Sequence, residues 1–449
     1  MSRQPLTFDQ NKLTDLEQTV QETLAKAQTQ GASAVEVALG LNQGLSVTAR
    51  LGELETLEHH RDQGLSLTVY LGQRKGSAST NDLNPDSIQE TVTKAINFAR
   101  LGGEDEAAGL PEKDWLATSF PDLDQHHPWP IDADQALAIA IECEQAARAV
   151  SSEINNSEGA SVTAHEGVSV FANSLGFCHS HLATRHSLGC SVLGRRGEEM
   201  QRDYWYTVAR DAGHLQAAAE VGRIAGERTV KRLGARGLST RQCPVLLAPE
   251  IARSLLGSFA GAISGGNLYR KSTFLLDAKD TRIFPEFIHI HEQPLLPGAL
   301  ASASYDAEGV ATRIKDLVKD GVLLDYLLDT YSARKLGLAS TGNAGGVHNM
   351  TLDAGNLDFN GLLKQMDTGL LVTELLGQGV NLVTGDYSRG AAGFWVERGE
   401  IQYPVEEITI AGNLKDMFQS IVAVGNDVDR RGSIHTGSIL LANLSVAGS

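Results

Sequence analysis

No stretch of this 449-residue chain is apolar for long enough to span a bilayer, and its start, MSRQPLTFDQNK, lacks the hydrophobic centre of a signal peptide. The expected location is therefore the cytoplasm, with no membrane partner. Positive charge is also short. Lys and Arg number 38 against 55 Asp and Glu, and the resulting net charge of −17 repels phosphate backbones, which argues against nucleic-acid binding. Cysteine is scarce: Cys143, Cys178, Cys190 and Cys243 are scattered, with no CxxC spacing. In a cytosolic chain they read as buried thiols rather than disulfides or ligands.

Several catalytic motifs are missing as well. Gly385-Asp386-Tyr387-Ser388-Arg389-Gly390 has Asp386 where a nucleophile elbow needs glycine, so a serine hydrolase is not indicated. The glycine-rich run Gly342-Asn343-Ala344-Gly345-Gly346-Val347-His348-Asn349 is followed by no Lys-Ser/Thr, so it is not a phosphate loop. It reads either as a tight structural turn or as a rim on which an extended peptide lies. His165-Glu166 opens like a zinc motif but has no second histidine in a helical setting. Two pairs, His179/His181 and His289/His291, each share a strand face; the first, with Cys178 beside it and His186 and Cys190 beyond, has no clear third ligand on that face, and the second has the acid Glu292 next door. Both are expected to be structural or solvated; a hydrolase using a metal at either pair is a minor alternative.

What is present is an ordinary globular composition, 42% hydrophobic and 21% charged, with 46 glycines pointing to many turns. Helical periodicity covers residues 11–30 and 86–100, and strand-like runs cover 34–39, 45–50, 53–59, 65–71 and 75–80. Asn42-Gln43-Gly44 is the expected hairpin turn. Residues 101–130, rich in Gly, Pro and acid, form a connection. A helix over 132–150, strands at 161–172, 176–182 and 187–193, and a helix over 212–231 follow. The run 44–49 parallels 167–172, and 65–72 parallels 187–194, through either duplication or strand composition alone. An α+β fold is expected, with helix/β-meander/helix units in an N-terminal domain, residues 1–235, and a β-rich C-terminal domain, residues 236–449.

The second part opens with the strand-like Val245-Leu246-Leu247 and a helix over 249–264, begun by Pro249-Glu250 and ended by Gly265-Gly266-Asn267. Ile251, Leu255, Phe259 and Ile263 give it a broad apolar face. In its context this helix resembles the metal-binding helix of the TldD/PmbA peptidase family. TldD-type members carry H-E-x-x-x-H where this chain has Pro249-Glu250-Ile251-Ala252-Arg253-Ser254. Proline offers no ligand atom, and a neutral serine hydroxyl is a poor one for zinc. Glu250 stands where the family has its general base, but without metal-bound water it has nothing to activate. The family's third ligand is a C-terminal cysteine, and no cysteine follows Cys243. With no ligand pair to distort it, the helix is expected to be regular.

Further matches to the PmbA/TldE branch run in order: residues 305–312, 319–322, 330–337, 342–349, 385–395 and 407–414. Looser ones occur at Thr184-Arg185-His186-Ser187 and Arg202-Asp203-Tyr204. The resemblance implies the non-catalytic, cleft-forming subunit of a TldD–TldE metalloprotease that degrades unfolded peptides and trims peptide precursors. It implies a heterodimer with a TldD-type subunit, no metal in this chain, and zinc in that partner. Extended peptide would lie in a cleft, with Asn343, Gly345, Gly346, His348, Asn349, Ser388 and Arg389 as candidate contacts. The alternative is a homodimeric peptide-binding module without protease activity.

Overall fold

The computed structural model describes residue 8 and residues 10–448. The first half consists of two runs of the same kind. One is α1 (Gln10–Thr29), β1 (Ala34–Arg50), β2 (Glu53–Leu71), β3 (Arg74–Thr80) and α2 (Pro85–Leu101). The other is α3 (Ala133–Ala149), β4 (Ile154–Asn173), β5 (Cys178–Arg196), β6 (Glu199–Ala209) and α4 (Ala218–Arg232). All six strands join one antiparallel sheet, ordered β3-β2-β1-β4-β5-β6, so the first strand of each run meets the other at the centre. In this half, side-chain caps start α2 and α3. Asn84 accepts from Ser87 N ahead of α2, and Asp132 with Gln135 forms a capping box ahead of α3.

Alternation along β1 divides the core. Val35, Val37, Leu39 and Leu41 pack with α1 and α2, while Leu45, Val47 and Ala49 pack with α3 and α4. These positions all have the same parity, so both helix pairs cover one face of the sheet. The other face, largely polar, lies toward the second half of the chain.

The register corrects the expected turn at Asn42-Gln43-Gly44. These residues lie mid-strand, paired with Asp62, Arg61 and His60 on one side and with Gly167, Glu166 and His165 on the other. Glycine is needed at 44 for close approach, because a Cβ there would meet His60 Nε2 at 2.3 Å and His165 Nδ1 at 2.6 Å. The actual turn is Leu51-Gly52, both at positive φ (54° and 84°). Its amides donate to the buried Glu144 carboxylate at 2.8 Å each, which holds a leucine in a conformation it rarely adopts. Two other expectations shift: β6 joins the sheet unforeseen, and the helix expected from 212 begins at Ala218 after a short 3₁₀ turn.

From residue 241 onward strands dominate. They are β7 (Arg241–Leu247), β8 (Ile290–Glu292), β9 (Lys315–Lys319), β10 (Val322–Leu323), β11 (Met350–Leu352) and β12 (Gly369–Leu376). β13 (Asp386–Glu397), β14 (Glu400–Asn413), β15 (Ile421–Val424), β16 (Ile434–His435) and β17 (Ile439–Ala447) complete the set. One sheet runs β14-β13-β12-β7-β17-β15 and the other β10-β9-β8-β11-β16. Helix α5 (Pro249–Ala262) leaves β7 with proline in its first turn and ends at Ile263. Its buried Ala252, Leu255, Leu256 and Phe259 belong to the largest apolar core, where Phe259 meets Phe284 and Phe418 edge-on. The chain is a mixed α+β protein, and among its described residues no helix is long and apolar enough to cross a membrane.

Candidate functional site

The first turn of α5 sits in an ion-pair cluster. Glu250 is held by Arg228 of α4 at 2.6 Å, and Arg228 also meets Asp203 of β6 at 3.2 Å. Arg232 lies 3.6 Å from Asp203 and 2.5 Å from Glu374 of β12, and Arg253 and Arg431 share the buried Asp429. Burial pulls the Arg228 guanidinium down, but Asp203 and Glu250 outweigh it and leave the group above its ordinary value. Trp205 and Tyr206 stack on Arg431 at 4.1 and 4.5 Å. Apart from Asp429, these groups line a cavity of about 270 Å³ joining the two halves of the chain. Ser254 spends its hydroxyl hydrogen on Ile251 O of its own helix, at 2.7 Å.

A divalent cation does not fit this environment. Pro249 brings no donor atom, Ser254 a neutral hydroxyl, and Glu250 a carboxylate already paired with a guanidinium. Arg228, Arg232, Arg253 and Arg431 line the same cavity and would repel the ion.

A second region lies between the polar face of the first sheet and residues 302–307. Two cavities of about 390 and 450 Å³ adjoin there and share His181 and Tyr305. The Tyr305 ring stands edge-on to Phe120, Phe177, His179 and His181, and Phe120 stacks on His179 at 3.8 Å. His181 opens to the cleft but is walled by protein, and that burial, with His179 and Arg210 adding to it, pushes its imidazole down to about 4. Beneath Tyr305, Asp306 accepts from the amides of Glu308, Val310 and Ala344. Burial overrides these bonds and raises its carboxyl to about 7. The neighbouring strand edge is open: β6 pairs with β5 only from His186 onward, and among the described residues, 178–183 take strand pairing from β4 alone. That edge borders the 390 Å³ cavity through His179, His181 and Leu182.

The loop at 342–349 lies behind this wall. Ala307 N donates to Ala344 O, and a side chain at Gly345 would touch the Ala307 methyl at 3.4 Å. Gly345 and Gly346 are exposed at φ of 97° and 130°. Asn343 and His348 instead face the buried Glu292: Asn343 Nδ2 donates to both its oxygens, and His348 N donates to one at 2.7 Å. Lys315 pairs with the same carboxylate at 3.0 Å, completing a buried charge pair under the loop. Asn349 is fully buried and bonded to Gln293 O and Ser302. Ser388 and Arg389 lie on β13, paired with Ala411 and Ile410, and no described hydrogen bond joins them to the loop. Glu292, Lys315, Phe120, Tyr305 and Asp306 escaped the reading of the sequence as site residues. Tyr305-Asp306 was visible only as part of a family-like segment, and nothing local marks Lys315 as the partner of Glu292.

Three family models tile the chain: PmbA/TldA metallopeptidase domain 1 over residues 35–99, the central domain over 126–233 and the C-terminal domain over 240–448. The metalloprotease PmbA of Escherichia coli O157:H7 is 50% identical over 425 residues, spanning 95% of this chain and 94% of that one. A crystal structure from Bacteroides thetaiotaomicron superposes with a TM-score of 0.92 at 28% identity, over 97% of this chain and 99% of that one. TldE from Thermococcus kodakarensis shares the fold, with a TM-score of 0.81 at 20% identity over 96% and 100% of the two chains.

Proposed function

The chain belongs to the PmbA/TldD metallopeptidase family, and from that premise we propose that it is a non-catalytic, cleft-forming subunit working with a TldD-type partner in the cytoplasm. The observation that carries the reading is the state of α5, where a cationic cavity, a self-bonded Ser254 and a paired Glu250 leave nothing to hold or activate a water on a metal. The free edge of β5 supports the substrate half of the proposal. An extended, unfolded peptide can pair with residues 178–183 through main-chain hydrogen bonds, as peptides do in strand addition, with its side chains against Phe120, His181 and Tyr305. Gly345 and Gly346 are the loop positions left open for contact, while Asn343, His348 and Asn349 shape the loop from within. No role in the cleft is assigned to Ser388 and Arg389 beyond their strand.

The test is reconstitution. Mixed with a TldD-type subunit and zinc, the purified chain supports cleavage of an unstructured peptide; alone, it cleaves nothing. Chelator-sensitive proteolysis by this chain alone, at the rate of the mixture, would overturn the assignment.

A further inference from the structure

Outside the cleft and away from the first turn of α5, strand β8 presents a second ligand set. His289, immediately before β8, and His291 on it lie two apart, and their rings come together on one side, centroids 5.1 Å apart. The partner strand β11 pairs Thr351 with His291 and Leu352 with Ile290, and directly after it comes Asp353, whose amide donates to His289 O at 3.1 Å. The backbone thus fixes a carboxylate, far away in sequence, beside both imidazoles. We propose that His289, His291 and Asp353 bind a divalent transition-metal ion of the zinc class.

The distances suit such an ion. Asp353 Oδ2 lies 2.9 Å from His289 Nδ1, and Oδ1 lies 3.4 Å from His291 Nδ1; one donor atom from each residue can be chosen with all within 4.8 Å of one another. Donors bound tetrahedrally at about 2.0–2.1 Å stand about 3.3–3.4 Å apart, so small rotations of the two imidazoles and of the half-exposed Asp353 side chain draw the set together around an ion. The outward nitrogens are already engaged. Asp316 Oδ1 is 2.8 Å from His289 Nε2, the carboxylate–imidazole arrangement that orients a ligating histidine and frees Nδ1 for metal. Gln293 lies 2.6 Å from His291 Nε2; turning its amide places the carbonyl oxygen there to accept the Nε2 hydrogen. That leaves the lone pair on His291 Nδ1, an atom buried without a hydrogen-bond partner. Two imidazoles and one carboxylate select zinc-class ions over calcium or magnesium, which prefer oxygen. Three protein donors leave the fourth position open.

The experiment uses the full-length chain with any affinity tag removed, stripped by chelator and desalted. Zn²⁺ is titrated by calorimetry and Co²⁺ by visible absorption. The wild type is expected to take up one ion per chain. His291→Ala should weaken binding more than about 100-fold, and Asp316→Asn, which leaves every donor in place, by about 10–100-fold. His181→Ala should bind as the wild type does. Circular dichroism and metal-free melting report on folding; if His291→Ala misfolds, Asp353→Asn on the exposed side gives the same reading. No uptake by the wild type, or undiminished uptake by a folded His291→Ala or Asp353→Asn variant, overturns the site. Because the readout is binding, it is independent of proteolysis and of the proposed partnership.

Discussion

Two histidine pairs of identical spacing end in opposite surroundings. His179 and His181 on β5 look into an aromatic cleft, ringed by Phe120, Phe177 and Tyr305. His289 and His291, at the start of β8, look at Asp316 and Asp353. Spacing two residues apart puts imidazoles on one face in both cases. What they can bind is decided by the residues brought beside them by strands and loops distant in sequence: rings in one case, carboxylates in the other. A motif of two histidines therefore carries half the information, and topology supplies the rest.

The frames behind the two pairs differ as much as their faces, and breaking them is the sharpest way to test the contrast. Glu292 follows His291 and points the other way, into the buried pair with Lys315. Glu292→Ala leaves an uncompensated ammonium inside the protein and should cost about 3–5 kcal/mol in urea unfolding. Adding Lys315→Met should return much of that loss; no recovery would mean that the ion pair is not the source. Among the described residues no ion pair stands behind His179 and His181, where Ser180 bonds Glu17.

The residues lying between the two histidines make a milder comparison. Ile290 is fully buried in the main core, whereas Ser180 donates to the Glu17 carboxylate near the surface. Ile290→Ala should cost about 2–5 kcal/mol. Ser180→Ala should cost only about 1 kcal/mol, the net worth of one hydrogen bond. Equal losses in the two variants would show that both strands are framed alike, contrary to the burial.

Much of the scaffold was legible because its signals are local. Apolar spacing marked α1, α2, α3 and α5. Signals set by distant partners were not legible. Gly44 looked like a turn glycine because its crowding by His60 and His165 arises only when three strands assemble. Leu51 did not look like a turn residue because the acceptor for its amide, Glu144, lies on a helix over ninety positions on. Asp353 could not be connected with His289 for the same reason: the register of β8 with β11 makes the contact, and each of those strands is only three residues long.

The smallest effect discriminates between the pairs by sign. Burial works against protonation of His289, but Asp316 and Asp353 outweigh it and raise its imidazole above the ordinary value. Its stabilising contribution is present below the unfolded value of about 6.5 and is lost as pH rises through the folded one. His181 is displaced the other way, to about 4, chiefly by burial. The unfolded chain takes up its proton first, so stability tied to His181 is present above about 6.5 and is lost as pH falls toward 4. In metal-free protein, His289→Gln should therefore destabilise most at acid pH, whereas His181→Gln should relieve part of the acid loss. The two changes should be opposite in sign and should grow toward acid pH, and the sign is the discriminating reading. Histidine NMR titrations give the cleaner reading: a midpoint above 6.5 for His289 and one near 4 for His181. Two midpoints together near 6.5 would mean that neither the carboxylates around one pair nor the cleft around the other governs its protons, and the contrast between the pairs would fail.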